Sequence, residues 1–159
     1  MKKTFWTPIV ALALAGGFVV EAAAQVNPNQ LIVWRKSATQ LQAKTFFPIY
    51  SMTQPGATYD AASVQHNAEY LSVMTQQAWD SFQPTTAGGA NTRAKDKIYK
   101  ETAKFKERQD GLHASVRKLN AAIKAADQAG VGAATKNIAR ACNACHEDFT
   151  SYNFRFKVE

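Results

Sequence analysis

Cysteine is scarce in this chain, with two in 159 residues, Cys142 and Cys145. With no third thiol there is neither a disulfide framework nor a four-cysteine zinc site. Histidine is thin as well: His66 and His113 are isolated in sequence from each other and from His146, so a zinc site lacks further ligands at the required spacing. A convincing period-two strand pattern is missing, as are internal repeats and low-complexity tracts; the periodicity that exists is helical. Acidic residues number 12 against 19 lysines and arginines, yet the basic residues are spread along helical faces with no dense run and no nucleic-acid motif. The formal charge of +7 therefore reads as solvated helix surface, and no nucleic-acid partner is expected.

What is present is the order Cys142-Asn143-Ala144-Cys145-His146, the attachment signature of c-type haem. Two thiols three positions apart on one helical face can each form a thioether to a haem vinyl, and the imidazole of the next residue can reach the iron. A thioredoxin-like pair would sit beside a strand-helix-strand pattern, which the surroundings do not offer. A disulfide across so short a loop would be strained and would leave His146 unexplained. Haem c is the cofactor these residues support best, with His146 as the metal ligand.

Near the start, Lys2 and Lys3 precede an apolar run from Pro8 to Val20, broken by Gly16-Gly17 and closed by Ala22-Ala23-Ala24. This reads as a secretory signal over residues 1–24, cleaved after Ala24; the run is short for a membrane span, and an uncleaved anchor is the alternative. The mature part, residues 25–159, is a single domain of 135 residues with 17 basic and 11 acidic side chains and no expected membrane attachment. Thioether attachment belongs outside the cytoplasm, so the expected compartment is the periplasm.

Four helical segments follow. Asn27-Pro28 opens the first, a capping residue before proline at the first helical position, and Pro48 should end or kink it near Phe47. Along it Leu31, Trp34, Ala38 and Leu41 form an apolar line, with Arg35, Thr39 and Gln42 beside it. Pro55-Gly56 marks a turn, and a second helix runs from Asp60 to Ser81 with Val64, Leu71, Met74, Ala78 and Phe82 inward. Pro84 to Asn91 has loop composition. A third helix is expected from about Arg93, with Ile98, Phe105, Leu112 and Leu119 repeating at seven alongside Val116 and Ile123, until Gly130-Val131-Gly132 breaks it. A fourth carries Ala134, Ile138, Ala141, Cys145, Phe149 and Tyr152 near one face. The pattern predicts an all-α fold, an antiparallel up-down-up-down four-helix bundle with its covalent haem c between facing helices.

These residues resemble the cytochromes c-prime, the class II c-type cytochromes. The likeness runs through Pro28 to Arg35 with its Trp34-Arg35 pair, the turn Gly56-Ala57-Thr58-Tyr59-Asp60-Ala61-Ala62, the stretch Trp79 to Gly89, and the C-terminal placement of the motif. It covers nearly all of the mature chain. It implies a four-helix bundle, a homodimer, and a pentacoordinate haem whose only protein ligand is the motif histidine. By the same resemblance Cys142 and Cys145 are the thioether positions, His146 is axial, and Arg35 lies near a haem propionate. Thr39, one turn after Arg35, takes the distal position, and Trp79 and Phe82 line the pocket, although ordinary core packing would look the same in sequence. Thr150 stands four residues after His146 where the family often has a basic residue, and Pro48 falls where the first helix normally continues.

An open iron with a small distal residue implies binding of nitric oxide and carbon monoxide, with transfer of single electrons to an unknown redox partner as a further capacity. A dedicated electron carrier is the alternative, and the lack of methionine at position 39 counts against it. No distal histidine with a partnering acid or arginine can be named, so an enzyme is not expected.

Overall fold

The computed structural model describes residues 26–158; the signal segment and its cleavage after Ala24 lie outside the described residues. The first helix, α1 (Pro28–Met52), starts where Asn27 and Pro28 predict, with the Asn27 side chain accepting the Asn29 N–H at 2.9 Å. It does not stop at Phe47. Pro48 cannot donate to the turn before it, a cost of about 3 kcal/mol, but Phe46 and Ile49 on either side are buried, and each buried side chain of that size returns about 1.5–3 kcal/mol. Continuing the helix past the proline therefore wins. Nor does the apolar line face inward as a whole: Leu31 is buried, but Trp34 and Leu41 are 51% and 44% exposed. The buried face instead runs through Ile32, Arg35, Phe46 and Ile49, and includes polar groups that have partners. Gln42, half-buried, donates to the Met74 carbonyl at 2.8 Å.

The second helix, α2 (Ala61–Gln77), is capped by Asp60, whose carboxylate accepts the N–H groups of Ala62 and Ser63. It ends before Ser81: a 3₁₀ turn, Trp79–Ser81, takes over. Val64, Leu71 and Ala78 are buried as expected, and Met74 and Phe82 are half-buried. The loop that follows holds a second 3₁₀ turn, Pro84–Thr86, with Gly88 and Asn91 at φ of 64° and 62°.

The third helix does not begin near Arg93. Residues 93–95 are used elsewhere: the Lys95 N–H donates to Phe149 O, the Ser151 N–H donates to Arg93 O, and Ala94 bridges Thr150. Backbone groups so committed cannot also enter a helix. One short turn, α3 (Lys97–Lys100), precedes α4 (Thr102–Lys124), and Glu101 between them has φ −115° and ψ 51°, outside helical values. The seven-residue seam survives the interruption, since Ile98, Phe105, Leu112 and Leu119 are all buried.

The break before α5 (Gln128–Phe149) is not at Gly130 to Gly132, which lie inside the helix. It falls at Ala126, left-handed at φ 52°, followed by Asp127 as N-cap accepting the Gly130 N–H at 2.8 Å. Gly130 is small for the cap: a Cβ there would meet the Asp127 carboxylate at 2.3 Å. Tyr152 lies beyond the end of α5 and is exposed.

The long helices close a ring in which α1 packs on α2, α2 on α4, α4 on α5 and α5 on α1. This is the expected all-α antiparallel four-helix bundle. One core cluster unites Phe46, Ile49, Val64, Leu71, Val116, Leu119, Val131 and Ile138; a second, smaller one gathers Ile98, Phe105 and Phe149. Among the described residues no helix is long and apolar enough to cross a membrane.

The two glycines of α5 should respond oppositely to alanine. Gly132 has open space at its Cβ, so Gly132→Ala should stabilise by roughly 0.5–1 kcal/mol, whereas Gly130→Ala should forfeit that gain by displacing a cap worth about 1 kcal/mol. Thermal melts of both variants check the pair, and equal shifts would refute the cap argument.

Candidate functional site

Cys142, Cys145 and His146 occupy the penultimate turns of α5, where the helix passes between the two core clusters. Cys142 packs against the larger cluster and Cys145 against the smaller one, and both are free thiols. Burial pushes the Cys142 thiol up to about 12, with Cys145 adding to the effect. Burial, together with the nearby Asp148 charge, pushes Cys145 up to about 11 against the opposing pull of Arg108. A redox-active Cys-x-x-Cys pair needs a depressed thiol pKa, so this environment argues against a thioredoxin-like role. It suits sulfurs that are to be bonded to an apolar ring system.

His146 is held below its ordinary range, first by burial and further by the Arg155 charge, against a raising hydrogen bond to the Phe154 carbonyl. Its ring is therefore neutral at pH 7. Nδ1 lies 3.4 Å from Phe154 O; with the proton on that nitrogen, Nε2 keeps the lone pair a metal requires. The edge of Tyr152 meets the imidazole at 5.6 Å between ring centres.

Arg35 lies on the buried face of α1 at 4% exposure. Nη1 donates to Thr86 Oγ1 at 3.5 Å and to the Tyr99 hydroxyl at 3.4 Å, Nη2 donates to Thr92 Oγ1 at 3.2 Å, and the guanidinium stands 4.5 Å over the Phe82 ring. Thr86 donates its own proton to Gln83 O at 2.7 Å, so the proton between Thr86 and Tyr99 belongs to Tyr99. Among the described residues no carboxylate pairs with this cation. A buried guanidinium with only neutral partners is a place where an anion such as a haem propionate fits, and the donor set of two thiols and one neutral imidazole fits the rest of haem c.

Phe82, below Arg35, continues the chain of contacts. Its ring meets Phe105 at 5.1 Å and stacks on Trp79 at 6.1 Å; Phe105 in turn meets Phe149 at 5.2 Å, in the cluster against which Cys145 packs. Trp79 is fixed from behind, its indole N–H donating to His113 Nε2 at 2.9 Å. The fold thus brings Arg35, Phe82, Trp79 and Cys145 into one continuous patch. Thr39 is not among these contacts: it is exposed, and its hydroxyl donates back to the carbonyls of Arg35 and Lys36, each at 3.0 Å.

Sequence reasoning missed the hydroxyl cage of Thr86, Thr92 and Tyr99, because a hydroxyl 50 or more residues from its partner carries no local signal. It also missed the binding of α5 to α4 by Asp148, which accepts from Lys104 Nζ at 2.7 Å and Arg108 Nε at 3.0 Å.

Comparison with known proteins gives the family and the fold. The family model described as Cytochrome C' matches residues 30–150. A cytochrome c' of Alcaligenes xylosoxydans xylosoxydans is 32% identical over 123 residues, 77% of this chain and 94% of the relative. Among solved structures, cytochrome c' from Rubrivivax gelatinosus superposes with a TM-score of 0.75 at 33% identity, covering 79% of this chain and 98% of that one. A nitric oxide complex of a cytochrome c prime variant from Alcaligenes xylosoxidans gives a TM-score of 0.74 at 30% identity, with 80% and 98% covered.

The Asp148 pairs yield a pH-dependent expectation. Its carboxyl is held below the ordinary 3.8, first by the hydrogen bond from Lys104 and then by that from Arg108, against partial desolvation. A depressed folded-state value contributes stability above the unfolded value and loses it as pH falls through the folded one. Asp148→Asn should therefore cost up to about 1 kcal/mol near neutral pH, after solvent screening. Urea titrations across pH should show the gap to wild type closing only below pH 3.8.

Proposed function

The chain belongs to the cytochrome c' family, and from that premise we propose that it is a periplasmic haem c protein whose five-coordinate iron, held by His146, binds nitric oxide and carbon monoxide and also passes single electrons. The family carries haem c covalently through cysteines, and this chain has only Cys142 and Cys145 for the purpose. When bound, the haem supplies the redox couple and the ligand-binding iron. The protein supplies everything that decides how that iron is presented.

Cys142 and Cys145 fix the macrocycle to α5, and His146 offers Nε2 because its other nitrogen is engaged by Phe154. Arg35, preassembled by three hydroxyls, gives a fixed positive charge to a propionate. Trp79, Phe82 and Phe105 wall the Cys145 side with aromatic surface and keep water out. Thr39 carries the reading. At the position matching the family's distal residue it offers neither thioether nor imidazole, and its hydroxyl proton is already spent on its own helix. Nothing at this position competes for the sixth coordination place, and less bulk stands there than an apolar side chain would bring. The nitric oxide complex of the Alcaligenes relative supports the ligand class. The role is binding and carriage, not catalysis, and export through residues 1–24 puts it in the periplasm.

A homodimer completes the proposal. Val33, Trp34 and Leu41 on α1, and Tyr70 and Val73 on α2, are exposed large hydrophobic side chains on adjacent helices. Trp34→Glu should convert a sedimenting dimer to monomer; an unchanged sedimentation coefficient would remove α1 from the interface.

Optical and electron-paramagnetic-resonance spectra of the oxidised and reduced protein, with and without the two gases, test the central claim. High-spin spectra that change with gas are expected. A low-spin spectrum indifferent to carbon monoxide would install the dedicated electron carrier in its place. Thr39→Leu should slow gas association by about tenfold, the equivalent of about 1.4 kcal/mol in barrier, in stopped-flow traces. Unchanged rates would take Thr39 away from the iron.

A further inference from the structure

The family match ends at residue 150, but the described chain goes on to Val158 and folds back over the bundle. Thr150 turns it, donating to Arg93 O at 2.8 Å and accepting the Tyr152 N–H at 3.0 Å. Arg155 donates to the carbonyls of Tyr152 and Phe154, each at 2.7 Å, and so stiffens the segment from within. Phe156 enters the core at 8% exposure, its ring 5.0 Å from those of Phe46 and Tyr50. Beyond it the Tyr50 hydroxyl donates to Lys157 O at 2.6 Å.

The most specific anchor lies inside the haem motif. Asn143 makes a two-way clamp on Phe156: its Nδ2 donates to Phe156 O and its Oδ1 accepts the Phe156 N–H, both at 2.8 Å. Asn143 precedes His146 by three residues, so the two share one face of α5. The register of the returning chain is thus referenced to the same helical turn that carries the imidazole. Phe154, two residues before the clamp, brings its carbonyl to within 3.4 Å of His146 Nδ1.

We propose that residues 151–158 are a strap that positions the axial ligand, with Asn143 and Phe156 fixing its register so that the Phe154 carbonyl holds His146 in the Nδ1–H tautomer. Asn143, Phe154 and Phe156 are positioning residues and do not themselves touch iron. A carbonyl on an irregular segment is placed only as well as the segment is held, and this one is held from α1 through Phe46 and Tyr50 and from α5 through Asn143. Hydrogen bonding to the far nitrogen makes an imidazole a better donor, which favours ferric over ferrous iron; losing such a partner commonly costs tenfold or more in metal affinity.

The inference rests on His146 being the ligand, so ferrous wild-type holoprotein is examined first by resonance Raman: an absent iron–histidine stretch would refute that assignment, separately from the strap. Given the stretch, holoprotein carrying Asn143→Ala with Tyr50→Phe, which frees the strap at both anchors while leaving Phe156 to fill the core, should show it at lower frequency. Its ferric preference should fall about tenfold, an upward shift of about 59 mV in midpoint potential for a one-electron couple. Asn143→Asp, keeping the acceptor for the Phe156 N–H but losing the donor, should fall between. A lowered melting temperature with stretch and potential unchanged would make the strap purely structural and overturn the proposal, as would no change in any of the three.

Discussion

A guanidinium almost wholly out of water, with hydroxyls but, among the described residues, no carboxylate around it, is the constraint on which the Arg35 side of this bundle depends. Transfer of a charge into the interior costs several kcal/mol unless polar partners offset it, and Arg35 has Thr86, Tyr99 and Thr92 as acceptors at its two terminal nitrogens and the Phe82 ring against its face. Those residues come from the loop between α2 and α3 and from α3 itself. The loop is therefore organised by α1 and not merely strung between helices. Gly89 belongs to the same logic: a Cβ there would meet Ile32 at 2.6 Å and the Thr86 carbonyl at 3.2 Å, so the chain can pass this close to α1 only without a side chain.

From Arg35 the aromatic series Phe82, Trp79, Phe105 and Phe149 leads to Cys145, and from Cys145 the helix leads within one residue to His146. Buried charge, apolar wall, the two cysteines and the His146 imidazole are thus mechanically continuous. On its other side His146 meets chain that the family match does not include. His146 is consequently set between the aromatic wall on one side and the returning segment on the other.

Much of the fold is legible in the sequence. Asn27-Pro28 marks a helix start because a side-chain acceptor and a missing N–H suit the same four orphan amides, and the structure uses both. The sevenfold seam of Ile98, Phe105, Leu112 and Leu119 is buried throughout, since a heptad repeat keeps one side of a helix on its neighbours even across the interruption at Glu101. The failures have specific causes. Pro48 was outweighed by the burial of Phe46 and Ile49, and the start near Arg93 by backbone pairing to residues 149–151. Gly130 made room for a cap and did not break a helix, while Trp34 and Leu41 remained exposed because polar Arg35 and Gln42 had inward partners.

The haem-attachment motif and the helical content are written in the sequence because both are local: two thiols and one imidazole fall within two turns of α5 whatever the rest of the chain does, and apolar spacing acts within single helices. Which polar side chains face inward, and where the residues after α5 lie, depends on how the helices pack. Arg35 finds its hydroxyls 51 to 64 positions away, and Tyr50 meets Lys157 across 107. Hydrogen bonds between such distant groups exist only once the helices have packed, and they then outweigh the solvation that hydropathy alone would have assigned to the same residues.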